Sequence, residues 1–281
     1  MSKIMKLEEG VRLIEDGMTI AIGGNVLHRA PMAFLREIVR QGKKGLRIVK
    51  TAGGHDVDLL CAGGCVSVVD AGFISYETAY GLAPHYRKAV QDGLIKANEH
   101  ACYTVMSALR AAKAGVSFMP VKGLVNSDLI KVNDYFKVIS DPFTGEDITV
   151  VRSIEPDVAI IHVQECDENG NGIIRGPVYD DELITLSSKR VIVTAEKIIN
   201  RSYMTLRPGE VTIPGFLVCA VIPVRKGASP CSCPTLYDID KNVLTSFLSG
   251  AEKDKEKTLA DYLDLYEKAD RNGGRLRSYN D

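Results

Sequence analysis

Two glycine pairs carry the first chemistry that can be read from this chain. Gly23-Gly24 closes the short apolar run Thr19-Ile20-Ala21-Ile22, and Gly53-Gly54 stands just past the run Leu46-Arg47-Ile48-Val49. Glycines at a strand end let a ligand approach main-chain N–H groups that no side chain shields. The plainer reading is that both pairs serve tight strand-to-helix turns. The first loop also holds His28 and Arg29, and the second holds His55. Placed on loops beside the glycine pairs, the two histidines and Arg29 are candidates for substrate contact. Glu77, in Ser75-Tyr76-Glu77-Thr78, and Glu99, between Asn98 and His100, are candidate carboxylates. Against them stand an exposed loop acid and a helix-start acid favoured by the helix dipole.

Other chemistries fail on inspection. The chain has no Gly-x-x-x-x-Gly-Lys-Ser/Thr loop, no Gly-x-Ser-x-Gly elbow and no His-Glu-x-x-His. Gly170-x-Gly172-x-x-x-Gly176 is one residue too long for a dinucleotide fingerprint and runs into Pro177. Asp167-x-Asn169-x-Asn171-Gly172 copies half of a calcium loop, but its twelfth position is Val178, so a tight polar turn explains it better. The seven cysteines include Cys61-x3-Cys65 and Cys231-x-Cys233, neither with the usual zinc spacing. Reduced, buried or half-buried thiols are expected, and no metal.

These residues must be positioned by an α/β scaffold. Strand signals at 19–22, 46–49, 67–71, 117–121, 157–163, 190–195 and 216–222 alternate with helical stretches near 32–39, 79–91, 100–113 and 180–188. That alternation predicts an open, mostly parallel sheet with helices on both faces. Residues 123–150 lack periodicity and read as a long loop. From 252 to 277 the chain is charge-rich, with Leu259, Tyr262, Leu263 and Tyr266 on one helical face. The expected organisation is one domain over 1–250, then a docked C-terminal helix and tail over 251–281. The 281 residues carry 35 Lys+Arg against 36 Asp+Glu. That balance argues against nucleic acid and against an acidic membrane as partners. With neither a signal-peptide core nor an apolar run of membrane length, a cytoplasmic protein is expected.

The run Asp16-Gly17-x-x, three apolar residues, Gly23-Gly24, then Pro31 seven residues on, resembles the first signature of class I coenzyme A transferases. The likeness is to the α subunit of glutaconate CoA-transferase-like enzymes. Ala71-Gly72-Phe73, Gly81-Leu82-Ala83-Pro84, Glu99, His162-Val163-Gln164 with Asp167, Gly170-Asn171 and residues 189–194 extend it from about residue 10 to 240. Asn25 departs from it, replacing an aromatic residue, and Arg29 replaces a glycine; an amide and a guanidinium there would bind a polar or carboxylate-bearing acyl group.

In that family a glutamate attacks an acyl-CoA thioester and becomes a glutamyl-CoA thioester before an acceptor acid takes the CoA. The Ser-Glu-Asn-Gly motif that holds this glutamate is absent here and belongs to the β subunit. The resemblance therefore implies a homologous β partner with the nucleophile, coenzyme A as substrate and no permanently bound cofactor. This chain would supply main-chain oxyanion donors at Gly23, Gly24 and Asn25, together with acyl-binding groups. Glu77 falls where an internal echo of the β motif would place a carboxylate. Two alternatives remain. One is a ring-opening acyl-CoA hydrolase subunit, whose functional glutamate aligns with Cys102 here; the other is a non-catalytic acyl-CoA-binding subunit.

Overall fold

A computed structural model describes residues 2–251 and 253–271. The strands are β1 (Thr19–Ile22), β2 (Leu46–Gly53), β3 (Val66–Ile74), β4 (Lys96–Glu99), β5 (Phe118–Val121) and β6 (Phe136–Ser140). They continue as β7 (Asp147–Arg152), β8 (Val158–Cys166), β9 (Gly172–Ile173), β10 (Val191–Ile198) and β11 (Val218–Pro223). The main sheet runs β11-β10-β8-β1-β2-β3-β4 with every neighbour parallel, and the short β9 pairs antiparallel with the end of β8. Parallel strands buried on both faces need continuous apolar runs, and the core divides accordingly. Ile20, Ile22, Ile48, Ile160 and Ile192 face one layer; Ala21, Val49, Ile161, Val191 and Val193 face the other.

The first layer holds α1 (Leu7–Val11), α2 (Met32–Arg40) and α3 (His55–Ala62). Beyond α4 (Glu77–Tyr80), α5 (Pro84–Gln91) joins the same layer. The second layer is built from α6 (Cys102–Lys113) and, past α7 (Leu129–Val132), from α8 (Asp181–Ser187). The short α9 (Arg201–Leu206) packs on a small satellite cluster with Ile173 and Ile199. No helix among the described residues is long and apolar enough to cross a membrane.

Residues 123–150 are not the loop expected. They form α7, β6 and most of β7, and β5 joins them in an antiparallel sheet ordered β5-β7-β6 rather than in the main sheet. The signal was missed because only Phe136 of β6 is buried, so polar residues dilute its alternation. The turn at 141–145 closes the hairpin, with Asp141 Oδ1 accepting from the Phe143 N–H at 2.8 Å.

The C-terminal segment is two helices, α10 (Lys241–Ala251) and α11 (Lys255–Arg271). The anticipated face of α11 packs on the core through Leu259, Tyr262, Leu263 and Tyr266; the tail expected beyond it lies outside the described residues. A buried fork fixes α11. Arg36 of α2 donates from Nε and Nη2 to the two oxygens of Asp270 at 2.8 and 2.7 Å, and Arg40 Nη1 lies 2.9 Å from the same carboxylate. Asp270→Ala would leave the Arg36 guanidinium buried without its carboxylate. Denaturant unfolding is expected to record a loss of about 3 kcal/mol, most of it regained in Arg36→Met/Asp270→Leu.

His85 is buried against Phe247 with Nε2 unpartnered. Burial, and then Lys255, push it down to about 4. A histidine kept neutral stabilises the fold above its ordinary range near 6.5, and that contribution is lost as pH falls toward 4. Melting temperatures should therefore fall less steeply between pH 6.5 and 4 in His85→Leu than in the parent protein.

Candidate active-site mouth

Strand order reverses between β1 and β8, because the chain runs outward from β1 through β2 to β4 and then returns to β1's other side. The crevice beyond the carboxyl ends of such strands is where open α/β sheets take ligands. Gly23, Gly24 and Asn25 lie there as expected, but their N–H groups are not free. Gly23 donates to Ile160 O at 2.9 Å, Gly24 to Asp181 Oδ1 at 3.0 Å, and Asn25 to His28 O at 2.9 Å. The expectation of an oxyanion hole made by these three amides is corrected on that ground.

The glycines make room for a buried ionic cage. A Cβ on Gly23 would stand 2.3 Å from Asp181 Oδ1, and one on Gly24, whose φ is +72°, 2.5 Å from His28 O. Lys50 of β2 donates to the carbonyls of Ile22, Gly23 and Gly24 at 3.0, 2.6 and 2.8 Å and lies 3.2 Å from Asp56 Oδ2. Arg29 pairs with Asp181 Oδ2 at 2.6 Å and donates to His162 O at 2.9 Å and Pro177 O at 3.1 Å. Both cations are buried.

The substrate-binding expectations divide. Arg29 has no solvent-facing surface and is spent on the cage, so it does not reach a substrate. His55 is equally buried, bonded through its two ring nitrogens to the hydroxyls of Tyr76 and Tyr262. Gly53 faces Ile74 and Val57, and the Gly54 N–H is taken by Asp56 Oδ1 at 2.7 Å. His28 is half-buried, with Nδ1 2.7 Å from Ser232 Oγ. Asn25 is half-exposed, and its side-chain amide makes no hydrogen bond among the described residues.

Around these two, other loops complete a rim. Glu77 follows β3, exposed and at φ +63°; Tyr179 stands opposite at φ +53°, its ring 5.6 Å from the Arg29 guanidinium. Thr51 donates its hydroxyl to Asp180, and Cys102 lies with Sγ 3.3 Å from Thr51 O. Burial pushes the Cys102 thiol above its ordinary range, which holds it protonated and weakens it as a nucleophile. Val26 and Arg29 also have positive φ, at 46° and 56°. Four non-glycine residues in that costly region around one mouth mark it as the functional candidate. Glu99 sits apart, at the end of edge strand β4, three strand spacings or roughly 14 Å from β1.

Sequence reasoning missed Lys50, Thr51, Tyr179, Asp180 and Asp181. A lysine inside the buried strand Leu46–Gly53 was the available signal, since an interior ammonium needs several acceptors. Among the described residues, one cluster brings three metal-ligating side chains together: His162, Glu196 and Cys233. Its groups are already engaged, Glu196 accepting from Tyr237, from the Gly227 N–H at 2.9 Å and from the Lys226 N–H at 2.7 Å. The half calcium loop is an Asx turn, with Asp167 Oδ1 accepting from the Asn169 and Asn171 N–H groups.

The family model described as Coenzyme A transferase matches residues 4–223. This chain belongs to that family. It is 33% identical to the A-subunit of the glutaconate CoA-transferase of Acidaminococcus fermentans, over 87% of this chain and 82% of that protein. A cholesterol ring-cleaving hydrolase IpdA subunit of Rhodococcus jostii is 31% identical, over 70% and 69%. An uncharacterized protein of Archaeoglobus fulgidus is 35% identical over 98% of this chain, which spans only 63% of that relative's length. Among solved structures, the glutaconate coenzyme A-transferase of A. fermentans superimposes with a TM-score of 0.89 at 29% identity, covering 94% of this chain and 88% of that one. A variant of the decarboxylase AibA/AibB gives 0.85 at 32% identity, covering 95% and 100%. For this CoA-transferase family chain the cage is the testable feature. Asp181→Ala removes the acceptor of both Gly24 and Arg29, and should cost about 3–5 kcal/mol in denaturant unfolding.

Proposed function

We propose that this chain is the α-type subunit of a two-chain enzyme that moves coenzyme A between an acyl-CoA thioester and a carboxylic acid. The reading assigns the attacking glutamate to the partner. Its carboxylate forms a bond to the thioester carbonyl carbon and expels CoA thiolate. The thiolate then attacks the glutamyl carbonyl of the resulting anhydride, releasing the first acid and leaving a glutamyl-CoA thioester. An acceptor carboxylate repeats the two steps in reverse.

One observation carries this division of labour: the amides of Gly23, Gly24 and Asn25, which would otherwise serve as oxyanion donors, are bonded within the chain, so this reading assigns those donors to the partner. What this chain offers is the wall of the acyl site: Asn25, Thr51, Glu77 and Tyr179 on the rim. The free amide of Asn25 is assigned to a polar acyl oxygen. The glutaconate CoA-transferase relative, itself one chain of that enzyme, favours this reading over ring-opening hydrolysis. A protonated thiol at Cys102 cannot replace a carboxylate base.

The test is to co-express the chain with the candidate second subunit, incubate the complex with acyl-CoA, and locate the CoA adduct by mass spectrometry. The adduct is expected on a glutamate of the partner, with CoA exchange dependent on an acceptor acid. An adduct on this chain, or solvent oxygen entering product with no acceptor, overturns the reading. Asn25→Ala is expected to raise KM for the acyl substrate about tenfold, the value of one lost hydrogen bond, with adduct formation retained.

A further inference from the structure

The mouth is connected to the C-terminal helix by an unbroken line of buried hydrogen bonds. Arg36 Nη1 donates to Tyr262 Oη at 3.3 Å; Tyr262 Oη lies 2.8 Å from His55 Nε2; His55 Nδ1 lies 2.8 Å from Tyr76 Oη; Tyr76 donates to Asp58 Oδ2 at 3.0 Å. The other oxygen of Asp58 accepts the Tyr86 N–H at 2.8 Å. All five side chains are buried. The ends fix the direction. A guanidinium only donates and a carboxylate only accepts, so Tyr262 gives its hydrogen to Nε2 and His55 carries its proton on Nδ1. Only a neutral imidazole can accept on one side and donate on the other, and burial pushes His55 down to about 3.

The line ends under the turn that carries Glu77. Tyr76 immediately precedes Glu77 and is the one buried residue between positions 75 and 82; α4 buries nothing. The other ties of this turn are the Ser75 N–H to Gly53 O at 3.1 Å, which anchors its start to β2, the partly buried Tyr80 packed on the core, and three local bonds: the Tyr76 N–H to Gly81 O, the Gly81 N–H to Glu77 O, and Ser75 Oγ to Gly81 O. A left-handed glutamate persists only where its surroundings hold it. Immediately before Glu77 the hold is the buried Tyr76 side chain, and the Tyr76 hydroxyl is set by His55. His55 also follows Gly54, whose Cβ position would be 3.1 Å from Ser75 O, so the line underlies two of the rim loops. Apolar residues of the same shape would fill this space at no desolvation cost. A fully bonded polar chain adds one defined geometry.

We infer that His55 and Tyr262 are positioning residues for the site, holding Tyr76 and through it the Glu77 turn, so that helix α11 is a working part of the mouth. This rests on the acyl-CoA reading given above only for the claim that the mouth turns over substrate.

The experiment uses the assembled two-chain enzyme at pH 8, because burial raises Asp58 to about 7 and the line needs its carboxylate form. Tyr262→Phe keeps the ring and removes the hydroxyl. Amide hydrogen exchange across 75–82 should speed up about tenfold and kcat should fall about tenfold, while exchange in β1 is unchanged. His55→Gln, with an acceptor and a donor on one amide, should restore protection and turnover that His55→Leu loses. A merely structural role predicts that His55→Leu and His55→Gln behave alike. If Tyr262→Phe does not fold, Tyr76→Phe breaks the line at its other end. Exchange at 75–82 as in the parent overturns the line; faster exchange with unchanged turnover overturns its link to the site. The partner's CoA adduct, read on the parent complex, reports separately whether the CoA-transfer reading itself has failed.

Discussion

The structure depends on a pair of cations buried where a parallel sheet would otherwise open. Each ion taken from water costs several kcal/mol, so the burial needs each charge paired and most of its donors bonded. Lys50 comes close to the ideal: an ammonium has three hydrogens, and three carbonyls at 3.0 Å or less surround it, with Asp56 beside them. Arg29 and Asp181 neutralise each other, although Arg29 Nε has no partner. The carbonyls of Ile22, Gly23 and Gly24 must turn toward Lys50, which needs positive φ at Gly24 and no Cβ at Gly23. The loop that follows inherits the constraint as positive φ at Val26 and Arg29.

Closing the switch point from inside changes what the chain can contribute. With the amides at 23–25 bonded, the accessible side chains of the candidate mouth are those of its rim, among them Asn25, Glu77 and Tyr179. The amides of Gly23, Gly24 and Asn25 are bonded within the chain and the exposed Cys102 thiol is held protonated, so neither offers the oxyanion donors or the thiolate that acyl transfer would use. That incompleteness makes a two-chain enzyme the economical reading of a fold whose family acts on CoA thioesters.

Much of this was legible in the sequence and some was not, for identifiable reasons. Long apolar runs point to the parallel sheet because burial on both faces admits little else. The small antiparallel sheet escaped because β6 buries only Phe136. The glycine loop was located correctly at a strand end, but the partner of the Gly24 amide is Asp181, 157 residues away. No local pattern reports such a contact. His55 shows the same limit. Placed beside a glycine pair it looks like a loop ligand, yet a helix side chain arriving 207 residues later encloses it. Lys50 was the missed opportunity, since a cation inside an apolar strand demands a local explanation.

The two helices after residue 240 lie beyond the stretch matched by the family model, which ends at 223. Their packing is nonetheless not peripheral. Arg36 lies on the face of α2 that α11 covers, and a guanidinium there tolerates burial only because Asp270 arrives in bidentate geometry. The same docking brings Tyr262 to His55 and Phe247 to both His55 and His85. Remove α10 and α11, and the Arg36 guanidinium, now without Asp270, and two imidazoles would face water from positions that the rest of the fold has already made apolar. The terminal helices thus complete the core, and among the described residues the two buried arginines each pair with a carboxylate further along the chain, 152 residues on for Arg29 and 234 for Arg36.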